Sequence, residues 1–422
     1  SHTDQSGLTT TYSYDVTSVP GKIDKTILPG GFTRNAEYYA SGEQKSVTGT
    51  AQVALYFSYG VNSDGSVWNK SNQASENSAR WEKSTSNMLE QSILEEKSGF
   101  NGIVYIVNTY NNNGLLTKTT QPGSAPFLYE YDETRELYRQ CLDVNNNGIM
   151  DLIGPDQISQ YEKKYDSNWE ISVEKAYSTN GTADATTHSI QKQRLNGFVE
   201  NIISETQSTD IYGNTTVQTQ TVDRNAKTVT VNQLSPASTV SQQIVTVNGL
   251  KVSQRSETNL TTTFGYDGLG RIISATDPRI GKTTVTYHTD AGKKGLIASI
   301  TDPAGNSATY DYDSTTGRLL WEKNALNRYT RYAYNDHGQI TNVWGDVQYP
   351  IQFGYDQFGQ KTTMRTFREN AAWNGMVWPA NVSGDLTTWI YDAASGLVTS
   401  KTGAKGKSVN YTYTVDGKLA SR

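Results

Sequence analysis

The densest group of oxygen-bearing side chains in this 422-residue sequence lies in the run DVNNNGIMD at 143–151. Oxygen ligands fall at alternate positions, and a glycine stands at position six, where a chain coiling around Ca²⁺ must bend sharply. Position seven of such a loop contributes a backbone carbonyl. The spacing therefore predicts a structural calcium site whose candidate ligands are Asp143, Asn145, Asn147, Ile149 and Asp151.

The same run has a simpler interpretation. It resembles dockerin-type calcium loops, but Gly154 occupies the position where an EF-hand carries its glutamate, and no flanking helices are predicted. Only two of the candidate ligands, Asp143 and Asp151, are charged. Since Asn and Gly adopt left-handed turn conformations without metal, a plain turn is the alternative.

A second group consists of aromatic side chains near residues 373–389. Trp373 and Trp378 flank a short Asn-Gly-Met-Val segment, and Trp389 follows shortly after. Aromatic side chains on an inserted loop suit stacking on sugar rings or on a partner surface. The alternative is that they pack onto the protein itself, which is favoured because large apolar groups are usually buried.

Candidates for catalysis are few. The sequence contains four histidines and no GxSxG, HExxH or P-loop motif, and Cys141 has no neighbouring histidine. Asp311 and Asp313 alternate onto the same face of a strand, as an acid–base pair would, but such pairs arise by chance in repeats. A non-enzymatic protein is predicted, and a polysaccharide-degrading enzyme is the weakest alternative.

The elements that carry these residues follow a repeat. From residue 266 onward a phrase that opens with tyrosine and soon reaches glycine recurs at intervals of 21, 25, 22, 21, 36 and 22 residues. Its tyrosines are Tyr266, Tyr287, Tyr312, Tyr334, Tyr355, Tyr391 and Tyr413. A second turn signal separates the phrases, as in TDPRIG at 276–281 and TDPAGN at 301–306. The long interval predicts an insertion, which carries the tryptophans.

Each repeat is predicted to contain two strands and two turns. Asp267 can cap its turn with the side chain, and Gly270 and Gly281 can take the positive φ that short turns require. A unit of about 21 residues cannot bury a face alone, so the hairpins must pair edge to edge. The repeated tyrosines are then expected to stack as a ladder across adjacent strands.

Composition agrees with thin sheets. Hydrophobic residues make up 35% of the chain, which argues against thick cores. The chain has 27 tyrosines and 9 phenylalanines, and this excess suits sheet surfaces that are partly exposed to water. The best helical pattern, at 86–97, is interpreted as strand–turn–strand because a repeat unit falls there. A net charge of −5 with scattered basic residues predicts no nucleic-acid partner, and no apolar run approaches the roughly 18 residues of a membrane span. One cysteine excludes an internal disulfide.

The phrases YDxxGR and TDPxGN at this spacing resemble the YD repeat of RHS-repeat proteins. That family includes bacterial RHS proteins, shell-forming components of Tc toxin complexes and the teneurin extracellular domain. The resemblance is strong over 266–422, degenerate over 81–265 and weak over 1–80. It implies an all-β fold, a spiralling array of hairpins forming an extended curved sheet or part of a hollow shell.

The expected organisation is an N-terminal cap or irregular repeats at 1–80, a degenerate array with the calcium-like loop at 81–265, and a regular array at 266–422. Since the repeats break off at Arg422, the chain is expected to be a portion of a larger array, with Ser1-His2 a tag remnant. The expected function is a structural section of a secreted or cell-surface scaffold that encloses cargo or displays an adhesive surface. Expected partners are the remainder of the array and either a cargo polypeptide or a surface glycan; a carbohydrate-binding module is the alternative function.

Overall fold

The computed structural model describes residues 1–15, 19–197, 201–346, 349–368, 373–380 and 382–422. Within these ranges the chain forms 36 β-strands and one short 3₁₀ turn at Pro29–Gly31, and it contains no α-helix. Strand-favouring Thr, Val and Tyr residues alternate with Gly- and Asn-containing turns, which accounts for this content. The predicted all-β class is confirmed.

The strands are numbered in chain order. Their bounds are His2–Thr3 (β1), Thr9–Tyr14 (β2), Ile23–Ile27 (β3), Thr33–Tyr38 (β4), Gln44–Thr48 (β5), Leu55–Val61 (β6), Val67–Gln73 (β7), Trp81–Ser86 (β8), Ser92–Gly99 (β9), Gly102–Tyr110 (β10), Leu116–Thr120 (β11), Phe127–Tyr131 (β12), Leu137–Leu142 (β13), Gln157–Asp166 (β14), Trp169–Ala176 (β15), Thr186–Arg194 (β16), Ile202–Thr209 (β17), Thr215–Asp223 (β18), Thr228–Leu234 (β19), Gln242–Val247 (β20), Leu250–Arg255 (β21), Thr261–Tyr266 (β22), Ile272–Asp277 (β23), Gly281–Tyr287 (β24), Ile297–Thr301 (β25), Ser307–Tyr312 (β26), Leu319–Lys323 (β27), Tyr329–Tyr334 (β28), Ile340–Gly345 (β29), Ile351–Tyr355 (β30), Lys361–Thr366 (β31), Asp385–Tyr391 (β32), Val398–Thr402 (β33), Ser408–Asn410 (β34), Thr412–Tyr413 (β35) and Leu419–Ser421 (β36).

The strands pair as a meander. β1 to β34 belong to one antiparallel sheet in which consecutive strands pair from β1 to β10, from β11 to β24 and from β26 to β34, and β35 pairs with β36. The register shifts by one residue where the repeat tyrosine ends its strand, as between Ala333 and Tyr334 and between Gly354 and Tyr355. This recurring bulge is the mark of a hairpin closed by a glycine at positive φ. The predicted continuous array of hairpins is confirmed.

The chain divides into two compact units. Unit 1 contains residues 1–107, 286–300 and 306–422, and unit 2 contains residues 108–285 and 301–305. The division of the sequence at residues 80 and 265 stays a prediction.

Buried apolar side chains are few in each unit. In unit 2, Leu128, Cys141 and Ile158 stand directly opposite one another on β12, β13 and β14 and form a small core cluster. In unit 1, Val343, Trp344 and Phe367 are the buried apolar side chains of the β29–β31 region. Each group supports a loop with a candidate site: Met150 and Leu152 pack against the first, and Trp373 and Trp378 contact Phe367 of the second.

The segment with helical periodicity folds as predicted from the repeat. β8 ends at Ser86 and β9 begins at Ser92, and the Asn87 side chain accepts hydrogen bonds from the N–H groups of Leu89 and Gln91. This asparagine supplies a turn where the apolar spacing alone would favour a helix. No helix of the described ranges is long and apolar enough to cross a membrane.

Candidate functional site

The YD turns are closed by their acidic side chain. Asp267 Oδ1 accepts the N–H groups of Leu269 at 2.9 Å and Arg271 at 3.0 Å, and the Arg271 Nε donates to Oδ2 at 2.8 Å. The backbone N–H and then the guanidinium of Arg271 lower the pKa of Asp267. Gly270 has φ +77° and Gly281 has φ +102°. The predicted cap and both glycine roles are therefore found.

The repeat tyrosines are fixed by their hydroxyl groups. Four of them donate to the backbone carbonyl 15 residues earlier at 2.7–2.9 Å, and these are Tyr266, Tyr334, Tyr355 and Tyr413. Tyr391, which follows the insertion, reaches Lys361 at 2.7 Å. Burial raises the pKa of Tyr334, Tyr355 and Tyr391. In these five repeats the hydroxyl ties the hairpin to the preceding one, and this bond takes the place of the expected ladder of rings.

The residue after the turn glycine joins neighbouring YD turns in unit 1. Arg318 Nη1 donates to the Asn335 carbonyl at 2.8 Å. Gln339 Nε2 donates to Gly359 at 2.8 Å, and Gln360 Nε2 donates to Gly396 at 2.9 Å. We call the bonds of Arg318, Gln339 and Gln360 the turn links. The last one spans the 36-residue interval, so the insertion leaves the row of turns unbroken.

Hairpins from the beginning of the chain attach to the same turns within unit 1. Arg80 stacks on the Phe358 ring at 4.0 Å, donates to Gln360 Oε1 at 2.7 Å and approaches the Asp392 carbonyl at 3.3 Å. Ser98 Oγ donates to the Ala394 carbonyl at 2.8 Å. Burial lowers the pKa of Arg80, while nearby Asp356 and Asp392 raise it. No local pattern in the sequence indicates these bonds, because 280 to 312 residues separate the partners.

The calcium-like loop brings three of its candidate side chains together. Asn145 Nδ2 and Asn147 Nδ2 each donate to Asp151 Oδ2 at 2.7 Å. Asp143 is fully buried, and its two oxygens accept the N–H groups of Asn147 at 3.1 Å and Gly148 at 2.8 Å. The side chain of Ile149 is exposed. The loop thus satisfies its own polar groups.

The donor chemistry of this loop is compatible with a hard cation. If both amides rotate by 180°, each presents its oxygen instead of its nitrogen, and Asn145, Asn147, Asp143 and Asp151 then form an all-oxygen set. Among the described residues no group of three or more His, Cys, Asp or Glu side chains has the arrangement of a metal site. Any bound ion would therefore depend on the two amides as well as the two carboxylates.

The buried carboxylate of Asp156 is the residue that the sequence analysis missed. It is 2% exposed, and it accepts the N–H groups of Val144 at 2.9 Å and Asp151 at 3.1 Å. The thiol of Cys141 donates to it at 3.5 Å. Burial, followed by the charge of Asp156, raises the pKa of Cys141 to about 12, so this cysteine is an unreactive core residue. Asp156 anchors both ends of the loop.

The tryptophans occupy two different places. Trp373 and Trp378 pack at 5.1 Å between ring centroids, and both contact Phe367. Trp378 also contacts Trp344, whose Nε1 donates to the Gly375 carbonyl at 3.1 Å. The insertion is thus held on the protein by its aromatic side chains.

The third tryptophan does not join this cluster. Trp389 lies within β32, directly opposite Lys401 on β33, and the Lys401 Nζ is 5.6 Å from its ring centroid. The three tryptophans therefore do not form one continuous stacking platform. Their predicted role in ligand binding stays a prediction.

Asp311 and Asp313, the possible acid–base pair, both form bonds within the fold. Lys293 Nζ contacts Asp311 Oδ1 at 2.5 Å, and Asp313 Oδ1 accepts the N–H groups of Thr315 at 3.0 Å and Thr316 at 2.8 Å. The Thr315 hydroxyl, with further bonds in the same turn, lowers the pKa of Asp313. A carboxylate that caps a turn in this way is a poor general acid, because its protonated form loses these bonds.

Comparisons with known proteins reveal a likeness of fold. No protein-family model matches the chain, and no curated protein matches it in sequence. A crystal structure of TcdB2-TccC3-Cdc42 matches with a TM-score of 0.54 and 11% identity, covering 99% of this chain and 23% of that one. A mutant Tc holotoxin pore from Photorhabdus luminescens matches with a TM-score of 0.46 and 12% identity, covering 97% and 22%. The chain spans about a quarter of the length of these structures, and the first likeness supports the fold alone.

Proposed function

We propose that this chain is a structural section of an extracellular YD-repeat wall that encloses a polypeptide cargo and performs no catalysis. The observation that carries the proposal is the row of turn links in unit 1, continued by Arg80 and Ser98 from the N-terminal hairpins. These hydrogen bonds connect neighbouring YD turns. The likeness in fold to TcdB2-TccC3-Cdc42, over nearly the whole of this chain, supports the same interpretation.

The chemistry of the links suits a mechanical role. A typical intramolecular hydrogen bond contributes about 0.5–1.5 kcal/mol net, so no single link is strong. Repetition makes local opening costly, because a hairpin can detach only if its tyrosine hydroxyl bond and its turn links break together. A wall built in this way resists proteases, which need an unfolded segment to cut.

Protease protection in the full-length protein tests the enclosing role. We expect that digestion of the native protein leaves the repeat array and a second, enclosed polypeptide intact, and that mass spectrometry identifies both. Replacing Arg80 by alanine should hasten loss of the enclosed polypeptide, whereas the exposed Arg34→Ala should not. Survival of array fragments alone, with equal rates in both variants, contradicts enclosure.

We further propose that the 143–151 loop binds Ca²⁺ as a structural ion. Support comes from the spacing of Asp143, Asn145, Asn147 and Asp151 and from the 2.7 Å contacts that gather the last three side chains. The ion would draw together carboxylates and amides that otherwise bond to each other, and it would stiffen the connection between β13 and β14. A site with only two charged ligands is expected to be weak.

Calorimetric titration of chelator-stripped protein should reveal saturable Ca²⁺ binding and a rise in the unfolding temperature. Asp151→Asn should abolish both responses, because it removes one of the only two charged side chains among the candidate ligands. Asp184→Asn, an exposed residue of unit 2, is the matched control and should leave them unchanged. Absence of heat and of any thermal shift in the unsubstituted protein would establish the loop as a plain turn.

A further inference from the structure

Arg331, in the middle of β28, is a buried guanidinium with unsatisfied donors. Only 4% of its surface is exposed, and its Nε and Nη1 atoms are enclosed without a hydrogen-bond partner. Buried arginines are normally paired, because the guanidinium carries five N–H donors and a charge that it does not give up. Such an orphaned group in a folded protein requires a physical explanation.

The repeat itself does not require an arginine at this position. Arg331 stands three residues before its repeat tyrosine, and the other six repeats carry small or uncharged polar residues there. These are Thr263, Thr284, Thr309, Gln352, Thr388 and Asn410. A departure from an otherwise satisfied local pattern, at a cost in stability, is typical of a functional position.

Aromatic side chains surround Arg331. Trp321 on β27 and Trp344 on β29 stand directly opposite it on the two neighbouring strands. The Tyr329 ring lies 4.5 Å from the guanidinium carbon. The face of an aromatic ring attracts the cation that lies above it. The ring does not accept the N–H bonds, which point outward within the plane of the guanidinium.

Nearby charges do not compensate Arg331. Asp311 lies in the same cross-strand row, two strands away beyond Trp321, and is engaged by Lys293. Lys323 Nζ lies 5.8 Å from the Tyr329 ring centroid and adds a second positive charge near that ring. Two carboxylates beside these residues bond elsewhere: Asp346 Oδ2 accepts the Tyr329 N–H and Glu322 Oε1 accepts the Tyr332 hydroxyl, each at 3.0 Å. The Nε and Nη1 donors of Arg331 therefore keep no acceptor, and an anion is the group that would supply one.

We propose that Arg331 binds a small oxyanion, namely a carboxylate or an inorganic anion of similar size, against the walls formed by Trp321, Tyr329 and Trp344. Charge-assisted bonds from Nε and Nη1 would satisfy the orphaned donors. The site is independent of the enclosing role, since it depends on one side chain of β28 and its aromatic neighbours. Its failure would leave the proposed function untouched.

Thermal unfolding and tryptophan fluorescence of the full chain test this site with chloride, acetate and sulfate at matched ionic strength. We expect a saturable rise in unfolding temperature and a saturable fluorescence change with at least one oxyanion at millimolar concentration. A response to acetate alone assigns the site to carboxylates, and a response to sulfate assigns it to inorganic oxyanions. Arg331→Met should abolish the saturable response and unfold at the same or higher temperature in anion-free buffer, because a buried charge is replaced by an apolar chain of similar length.

The control is Arg365→Met, which removes an arginine that already donates to the Gly384 carbonyl at 3.2 Å. It should lower stability and keep the anion response. Equal responses in the unsubstituted protein and Arg331→Met overturn the proposal. Should Arg331→Met fail to fold, the unsubstituted protein decides: a strictly linear dependence on anion concentration, as general salt effects produce, also overturns it.

Discussion

Replacing Phe367 by alanine will destabilise unit 1 by about 3 to 5 kcal/mol, the cost of removing a fully packed aromatic ring and leaving a cavity. Phe367 is 2% exposed and contacts both Trp373 and Trp378. Its loss also frees the two tryptophans, so we expect a red shift of tryptophan emission before global unfolding. Chemical denaturation followed by fluorescence measures both effects.

Met376→Ala serves as the control for Phe367→Ala. Met376 lies in the same insertion, is 65% exposed and should change the free energy of unfolding by no more than about 0.5 kcal/mol. A Phe367→Ala variant as stable as Met376→Ala would mean that the insertion is not held on the protein by its aromatic cluster. The interpretation of Trp373 and Trp378 as ligand-binding side chains would then regain strength.

Asp156→Asn is expected to destabilise unit 2 by about 1 to 3 kcal/mol, the cost of leaving a buried hydrogen-bonding group without its partner. The carboxylate accepts two backbone N–H groups and the Cys141 thiol from a buried position. An asparagine carries an NH₂ group where the aspartate has one of its two oxygens. At least one of the buried groups that donate to Asp156 then loses its acceptor and faces the amide N–H instead. Calorimetric unfolding in calcium-free buffer measures the loss without interference from an ion.

The control is again Asp184→Asn at an exposed position, which changes the charge by the same amount and removes no buried hydrogen bond. We expect it to change the free energy of unfolding by no more than about 0.5 kcal/mol. If both variants unfold at the same temperature as the unsubstituted protein, Asp156 does not anchor the loop. In that case the order of residues 143–151 must come from the turn bonds of Asp143 and Asp151 alone.

Local chemistry made much of the fold predictable. The YD phrase places an acidic cap and a glycine within five residues, as at Asp267 and Gly270, and both effects act over that short range. The strand–turn–strand at 86–97 was expected from the place of a repeat unit, and the structure adds its local cause, since Asn87 accepts the N–H groups two and four residues ahead. The repeat interval then fixed the antiparallel order of neighbouring hairpins.

Long-range bonds were not predictable by the same means. The tyrosine rings were expected to stack across adjacent strands, yet their hydroxyls donate to a backbone carbonyl, which no side-chain pattern marks. Arg80 and Asp156 act through partners that the sequence does not place beside them. Asp156 could have been suspected as a charge directly before the start of β14, two residues ahead of the buried Ile158. Nothing comparable marks Arg80.

Hydrogen exchange measured by mass spectrometry tests the central claim most directly, namely that tyrosine hydroxyls and turn links join the hairpins of unit 1 into one array. We predict protection of every strand from β26 to β33, and a faster exchange on both sides of the bond when Tyr355→Phe removes the hydroxyl that reaches Ile340. Free exchange across several consecutive repeats in the unsubstituted protein, or an unchanged pattern in Tyr355→Phe, would contradict the claim.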